Sequence, residues 1–139
     1  MRSLGLDVGD KRIGVAMSDA EEILASPLVT ITRDDDNEAI DAILELVNKN
    51  GVQRIVVGVP YSMNGDIGTQ AGKVMAFVAK LSQHIKIDIE TWDERLSTVA
   101  VQRLMAEANS RGKEARLRRD AAAAAFILQG YLDSLKVSM

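Results

Sequence analysis

The chain contains no cysteine and only one histidine, and these two scarcities limit its chemistry. Without cysteine there is no disulfide, no zinc–thiolate site and no thiol nucleophile. The single histidine, His84, precedes a predicted strand and is expected at the surface, so neither a Ser-His-Asp triad nor a histidine-rich metal site is predicted. The lack of cysteine fits a reducing compartment, and we expect a cytoplasmic protein.

Long apolar runs are also missing. None reaches the roughly 20 residues of a membrane-spanning helix, so no membrane partner is expected. Residues 1–3 lead directly into a predicted strand, and no secretory signal is visible. The 139 residues contain no linker and no repeat. We therefore predict a single domain over residues 1–139.

Net positive charge is lacking too, since the formal charge is -3. Taken alone, this value argues against a protein that binds nucleic acid. The charges are unevenly distributed, however, with acids concentrated in residues 34–38 (DDDNE) and bases in residues 110–120 (SRGKEARLRRD). The chain therefore carries two local fields of opposite sign.

Alternation of apolar residues with small or polar ones predicts strands over Leu4–Val8 and Ile13–Met17. The short turn between them predicts an antiparallel hairpin. Residues 26–32 (SPLVTIT) form a third predicted strand, which completes an antiparallel meander.

The rest of the chain alternates between helical and strand patterns, which indicates parallel strands with crossover helices. Further strands are predicted over residues 54–60 and 85–90. Helices are predicted around residues 40–47, 71–81, 101–108 and 120–135. Asp34–Asp36 supply a helix cap and Gly51 a helix stop. The predicted fold is α/β, a mixed five-stranded sheet flanked by helices.

Asp7 lies between two aliphatic residues inside the first predicted strand, where aspartate is uncommon. A buried carboxylate is destabilising unless it is paired or holds a metal ion. Gly5 shares its face of the strand and Gly14 is expected beside it, which leaves room above Asp7 for something other than side chains. The alternative is a turn cap, or a pair with Lys11 or Arg12, but a turn cap would come later in the chain.

Residues 92–98 (WDERLST) mark the end of one predicted strand and the start of a helix. Ligands gather at the strand ends of α/β sheets, so Asp93 or Glu94 could face the same crevice as Asp7. Alternatively the stretch only caps the helix, and Glu94 pairs with Arg95 in solvent. The candidate caps are Asp93, Ser97 and Thr98.

Asp120 is predicted to open the last helix, directly after the basic stretch. Aspartate at a helix start is most often a cap, and this interpretation is favoured for Asp120 alone. The five alanines that follow lack bulk, which would let the last helix lie close to the sheet.

Three acids at such positions could nevertheless converge on one pocket. Clustered carboxylates suit Mg²⁺ or Mn²⁺. Two such ions roughly 3.5–4 Å apart can activate water and stabilise the leaving oxygen of a phosphodiester. The basic stretch would then bind the phosphate backbone of a nucleic acid. The alternative is a solvent-exposed loop without a binding role, which is what most runs of charged residues are. The pattern therefore points to metal-dependent phosphodiester hydrolysis.

Four stretches strengthen this interpretation by their order and spacing. They are LGLDVGDKRIGVAMSD, VVGVPYSMNGDIG, WDERLST and DAAAAAFILQGYL. Together they resemble the YqgF family, also called RuvX, of proposed pre-16S rRNA nucleases once described as Holliday junction resolvases. The resemblance covers nearly the whole chain and implies an RNase H-like fold.

The resemblance assigns the catalytic and metal-binding roles to Asp7, Glu94 and Asp120, with Mg²⁺ or Mn²⁺ as cofactor. It implies substrate contacts by Lys11, by Arg95 and by the loop of residues 61–65. One departure is Ser62, where family members often have asparagine. The predicted substrate-binding residues are Lys11, Arg12, Asn64, Arg95, Arg116 and Arg118.

The predicted activity is processing of the 5′ end of pre-16S rRNA in ribosome biogenesis. Nucleic acid is the expected partner, RNA in preference to DNA, with ribosomal precursor particles and a homodimer as further possibilities. The alternatives are a Holliday junction resolvase and a non-catalytic RNA-binding assembly factor. A third arises because LDVGDKRIG also resembles the phosphate-binding hairpin of actin-like ATPases and sugar kinases.

Overall fold

The computed structural model describes residues 1–62, 64–96 and 112–137. Three strands come first: β1 (Arg2–Val8), β2 (Arg12–Ser18) and β3 (Ala25–Thr32). The elements that follow are α1 (Asp36–Asn50), β4 (Val52–Val59), α2 (Thr69–Ser82), β5 (Asp88–Asp93), a 3₁₀ turn (Glu94–Leu96) and α3 (Lys113–Val137). The helix predicted around residues 101–108 lies outside the described residues.

The five strands form one mixed sheet in the order β3-β2-β1-β4-β5. β1 pairs with β2, and β2 with β3, in antiparallel fashion, whereas β1, β4 and β5 are parallel. This arrangement confirms the predicted fold. Because all five strands share one sheet, we propose that the described residues form a single domain.

Helix α1 shows how local sequence sets the boundaries of an element. The Asp35 side chain accepts a hydrogen bond from the Asn37 amide and caps the first turn. Gly51 ends the helix with a φ of 63°, a left-handed conformation that favours glycine. Ile40 and Ile43 bury the face between these caps. The predicted caps are therefore confirmed.

The sheet lies between two helical layers. One face packs against α1 and α2 through large aliphatic residues, with Phe77 among the buried side chains. The other face packs against α3 through a smaller cluster that includes Ala16, Ala124 and Leu128. Within the described residues, no helix combines the length and apolar character that crossing a membrane requires.

Two elements differ from their predicted bounds by three residues or more: β5, which spans Asp88–Asp93 instead of residues 85–90, and the last helix. β5 begins at Asp88 instead of residue 85, because its pairing with β4 starts only at Arg54 and Asp88. The last helix begins at Lys113, seven residues before its predicted start at Asp120. Residues 113–119 (KEARLRR) are good helix formers, and Glu114 and Arg118 lie one turn apart with 4.0 Å between their charged atoms. Most of the stretch predicted as a basic loop is therefore helical.

Candidate active site

A cavity of about 250 Å³ opens where the parallel strands β1, β4 and β5 reach their carboxyl ends. This is the edge at which ligands bind in α/β sheets. The three predicted carboxylates all line it, so the predicted convergence is confirmed. The lining residues are Asp7, Val8, Gly9, Arg12, Pro60, Gln70, Glu94, Arg119, Asp120 and Ala123.

Asp7 is half-buried on β1 and lies directly opposite Gly14 of β2, as the hairpin predicted. The space above Gly14 is filled by the main chain of α3. A Cβ atom at Gly14 would lie 1.9 Å from the Asp120 carbonyl oxygen, closer than atoms can approach. The space that the glycine leaves is therefore occupied by helix main chain, which is something other than a side chain, as expected. This close approach brings Asp120 to the cavity of Asp7.

Asp120 lies inside α3, so the interpretation of this residue as a helix cap is wrong. Its carboxylate instead accepts a hydrogen bond from Arg12, with 2.6 Å between Arg12 Nε and Asp120 Oδ2. The sequence alternative paired Asp7 with Lys11 or Arg12, whereas this bond of Arg12 is to Asp120, an acid 108 residues away in the chain.

Glu94 and Asp93 compete in the sequence for one role, and the structure separates them. Glu94 is buried, with 6% of its surface exposed, and lines the cavity. Asp93 accepts hydrogen bonds from the main chain and the guanidinium of Arg95. The hydrogen bond from Arg95 lowers the pKa of the Asp93 carboxyl below its ordinary value. Asp93 therefore caps the 3₁₀ turn, and the helix that the alternative assigned to it lies outside the described residues. Glu94 is buried, so it is not the solvated residue that the same alternative assumed.

Arg95 lies beside the loop of residues 61–65 and does not line the cavity. Its guanidinium bonds to Asp93, donates to the Ser62 carbonyl oxygen at 3.3 Å and lies 5.6 Å from the centre of the Tyr61 ring. Ser62 and Asn64 also hold this loop together, since the Ser62 hydroxyl donates to Asn64 Oδ1 at 2.6 Å. Arg95 thus connects the loop to the end of β5.

The other predicted cations are exposed and lie outside the cavity lining. Lys11 is in the turn between β1 and β2, and Arg116 and Arg118 are on the first turns of α3. Ser97, Thr98 and residues 110–111 of the basic stretch lie outside the described residues.

Sequence analysis missed Gln70 as a candidate site residue and included Arg119 only as part of the basic stretch, although both line the cavity. Gln70 lies in the first turn of α2, the helix that follows the carboxyl end of β4. That position was a usable signal, because loops and helix starts after parallel strands face the ligand edge. Arg119 precedes Asp120, but the sequence predicted a loop there. A loop does not fix the direction of the Arg119 side chain, so there was no reason to place it on the cavity wall.

The cavity provides the type of ligands that a hard divalent cation prefers. Asp7, Glu94 and Asp120 contribute carboxylate oxygens, which suit Mg²⁺ and Mn²⁺. Among the described residues, however, no three histidine, cysteine, aspartate or glutamate side chains are arranged as a bound ion requires. The chemistry of the donors nevertheless fits a divalent cation.

Comparisons with known proteins place this geometry in context. A protein of Desulforamulus reducens named as a proposed pre-16S rRNA nuclease is 48% identical over 135 residues, which is 96% of this chain and 98% of the relative. A protein of Caldanaerobacter subterraneus with the same name is also 48% identical, over 99% of this chain and 100% of the relative.

Solved structures share the fold at low sequence identity. RuvC of Thermus thermophilus in complex with a Holliday junction substrate has a TM-score of 0.58 and 14% identity, over 98% of this chain and 96% of that one. The fowlpox virus resolvase with Holliday junction DNA has a TM-score of 0.56 and 10% identity, over 97% and 99%. The fold is therefore RuvC-like. The family model described as "RuvX: Holliday junction resolvase" matches residues 1–134, and the chain belongs to the RuvX family.

Proposed function

We propose that this protein is a metal-dependent endonuclease that uses Asp7, Glu94 and Asp120 to hydrolyse phosphodiester bonds of structured nucleic acid. The nuclease class follows from membership of the RuvX family and from the near-full-length relatives named as nucleases. The observation that carries the site assignment is the convergence of these three acids on one cavity. Family membership also removes the support for an ATPase.

The three carboxylates would hold Mg²⁺ or Mn²⁺, and divalent cations supply a polarised water for attack and charge stabilisation for the leaving oxygen. The chain's own residues have separate tasks. Burial of Glu94 shields its carboxylate from water and strengthens its attraction to positive charge. Arg12 and Arg119 on the cavity wall carry positive charge toward a scissile phosphate. Gln70 offers a hydrogen-bonding amide on the cavity wall.

Outside the cavity, the exposed residues Lys11, Arg116 and Arg118 would bind phosphates of the substrate backbone. Arg95 and Asn64 would act by fixing the loop of residues 61–65 beside the cavity. The proposed natural substrate is the precursor of 16S rRNA, on the strength of the bacterial relatives named for that activity. Such an activity belongs in the cytoplasm, on ribosomal precursor particles.

A second candidate is cleavage of DNA junctions, which is favoured by the likeness to resolvases solved with Holliday junction DNA. A non-catalytic RNA-binding factor is less well supported, because such a factor has no need of three acids in one cavity. The homodimer considered from the sequence stays a prediction, and light scattering of the purified chain would test it.

The decisive experiment incubates purified protein with structured RNA, single-stranded RNA and a DNA four-way junction, each with Mg²⁺, Mn²⁺ or chelator. We expect cleavage only with a divalent cation and a preference for structured RNA. Preferential cleavage of the DNA junction would favour the resolvase activity. Binding without cleavage under all conditions would favour the assembly factor and overturn the proposal.

Substitutions at Asp7 and at the adjacent acids Glu94 and Asp93 test the assignment of residues. Glu94→Gln and Asp7→Asn should lose cleavage by at least about 100-fold while the fold is kept, because each retains shape and removes a charge that holds the cation. Asp93→Asn is the matched control, since Asp93 is adjacent to Glu94 but bonds to Arg95. Cleavage lost in Asp93→Asn and kept in Glu94→Gln would reverse the assignment.

A further inference from the structure

We propose that Arg12 neutralises Asp120 in the cation-free protein and that a divalent cation displaces Arg12 from this carboxylate. The Arg12 guanidinium is then available to bind phosphate. This inference rests on the proposed nuclease function and adds a coupling between cation binding and nucleic-acid binding. Arg12 and Asp120 would thus be partners before a cation binds and would have different partners afterwards.

The ion pair between Arg12 and Asp120 is the first observation. Arg12 Nε lies 2.6 Å from Asp120 Oδ2, and the two side chains are 32% and 19% exposed. A charge-assisted hydrogen bond of this length is stronger than one between neutral groups. Partial burial also weakens its screening by water and salt. The pair is therefore a specific contact and differs from the exposed pairs elsewhere on the surface.

The packing around the pair explains why it forms. Arg12 and Gly14 are two residues apart on β2, so their side chains point to the same face of the sheet. Gly14 allows the main chain of α3 at Asp120 to lie directly against that face. The same close approach that brings Asp120 into the cavity therefore brings it within reach of Arg12.

A cation and the Arg12 guanidinium would compete for Asp120. Both neutralise the same carboxylate, and like charges repel at such separations. The described acids are not arranged for a bound ion, although three of them line the cavity. A cation that binds Asp120 together with Asp7 and Glu94 would therefore compete with Arg12 for this carboxylate.

The displaced guanidinium remains on the cavity wall, where Arg119 also lies. A planar guanidinium binds phosphate oxygens in a bidentate manner, so release of Arg12 creates a phosphate-binding group beside the scissile bond. Coupling of this kind is reciprocal: if the cation raises the affinity for nucleic acid, nucleic acid raises the affinity for the cation by the same factor.

The test titrates the nucleic-acid-free full chain with Mn²⁺ by calorimetry, in the wild type and in Arg12→Gln. We expect the variant to bind Mn²⁺ about tenfold more tightly, which corresponds to about 1.4 kcal/mol. Arg119→Gln is the matched control, because it removes the same charge from the same cavity wall without removing the bond to Asp120. Its gain in affinity should be about twofold or less.

Each outcome has a consequence. If Asp7→Asn abolishes Mn²⁺ binding but Arg12→Gln binds like the wild type, the inference fails and the nuclease proposal stands. If Arg119→Gln gains as much as Arg12→Gln, the effect is the general field of the cavity and the inference is also wrong. If no form of the protein binds Mn²⁺, the metal site of the proposed function fails with it.

A second measurement uses the wild-type protein and does not depend on a variant folding. The Arg12 Nε–H signal in a ¹⁵N spectrum, assigned by its loss in Arg12→Lys, should shift and exchange faster with water as Mg²⁺ is added. A single-stranded RNA probe, checked for intactness on a gel, should bind several-fold more tightly with Mg²⁺ in the wild type than without it. An Nε–H signal that Mg²⁺ leaves unchanged would overturn the inference.

Discussion

The two faces of the central sheet are built from different kinds of residue. The face toward α1 and α2 is filled by large aliphatic side chains of β1, β2 and β4, together with Phe77. The face toward α3 combines a smaller cluster, which includes Val56, Ile127 and Leu128, with close contacts at small residues. These small residues are Gly5, Gly14 and Gly58 on the strands and Ala121, Ala123 and Ala124 on the helix. A Cβ atom at any of these three glycines would meet atoms of α3 or Glu94 at less than 3.0 Å.

This difference shows how one sheet provides both stability and a site. Bulk on one face buries the apolar surface that stabilises the fold. Small residues on the other face let a helix approach closely enough for its main chain to carry Asp120 beside Asp7. We therefore expect substitutions on the first face to change mainly stability, and substitutions on the second to change the geometry of the cavity.

The largest loss of stability is expected from Phe77→Ala on the bulky face. Phe77 is 1% exposed, and truncation of a buried phenylalanine leaves a cavity that costs about 3–5 kcal/mol. Cleavage per folded molecule should stay near the wild-type value, because Phe77 does not line the catalytic cavity. Urea unfolding and an activity assay measure the two effects.

The control for this prediction is the other phenylalanine of the chain. Phe126 lies on α3 and is 39% exposed, so Phe126→Ala should change the free energy of unfolding far less. Equal losses in the two variants would mean that the bulky face does not dominate stability.

Gly14→Ala tests the close-packed face. The added methyl group would meet the main chain at Asp120, so α3 must shift, at a cost of about 1–3 kcal/mol. The cleavage rate should fall by more than the loss of folded protein explains, because the shift moves Asp120 out of the cavity. Gly72→Ala in α2 is the control, since its Cβ would meet nothing closer than 4.0 Å and alanine favours a helix. A Gly14→Ala variant with wild-type cleavage would contradict the proposed role of this packing.

The bulky face was largely predictable from sequence, and the close-packed face only in part. Apolar periodicity located α1, α2 and the strands, because the residues buried on that face are large, apolar and repeated at the spacing of a helix or a strand. The position of Asp7 near the end of β1 followed from the same pattern, whereas the choice of Glu94 over Asp93 came from the family resemblance. The start of α3 was not predictable, since Asp120 after a basic stretch has the local signature of a helix cap.

The bond between Arg12 and Asp120 was also beyond sequence reasoning. It joins residues 108 positions apart and depends on the distance between α3 and β2. No periodic pattern encodes that distance. Gly14 was a signal of close approach, but the sequence does not say whether a helix or a ligand occupies the space.

A smaller effect is expected at the edge of the bulky face, where Asp36 bonds to Arg33 and Lys80. Hydrogen bonds from Arg33 and then Lys80 lower the pKa of Asp36 from 3.8 to about 2. A lowered pKa in the folded state contributes stability above the ordinary value, and this contribution is lost as the pH falls from about 4 to 2.

Asp36→Asn should therefore cost about 1 kcal/mol at neutral pH, a value reduced by the exposure of Lys80. The difference from the wild type should shrink as the pH falls below 4. Urea unfolding at several pH values measures it, with Asp41→Asn on an exposed position of the same helix as control. A difference that stays constant with pH would mean that the ionised carboxylate is not the source of the stability.

The smallest effect on stability, and a clear one on binding, is expected for Arg116 and Arg118 on the close-packed side of the molecule. Both are exposed on the first turns of α3, where Arg118 lies 4.0 Å from Glu114. If both bind phosphates, each releases condensed counterions, and log affinity falls with log salt by about 0.7 per contact on single strands. Replacing both with alanine should flatten that slope by roughly 1.4 and leave the free energy of unfolding nearly unchanged, because exposed charge pairs contribute little to it. The measurement is a salt titration of RNA binding in the Asp7→Asn background.

Lys49→Ala with Lys86→Ala is the matched control, since these exposed lysines lie next to the amino ends of β4 and β5, at the sheet edge opposite the cavity. An equal flattening of the slope in the control would mean that net charge alone sets the affinity. An unchanged slope in the test variant would mean that phosphate is bound by Lys11 and by the cations of the cavity wall instead.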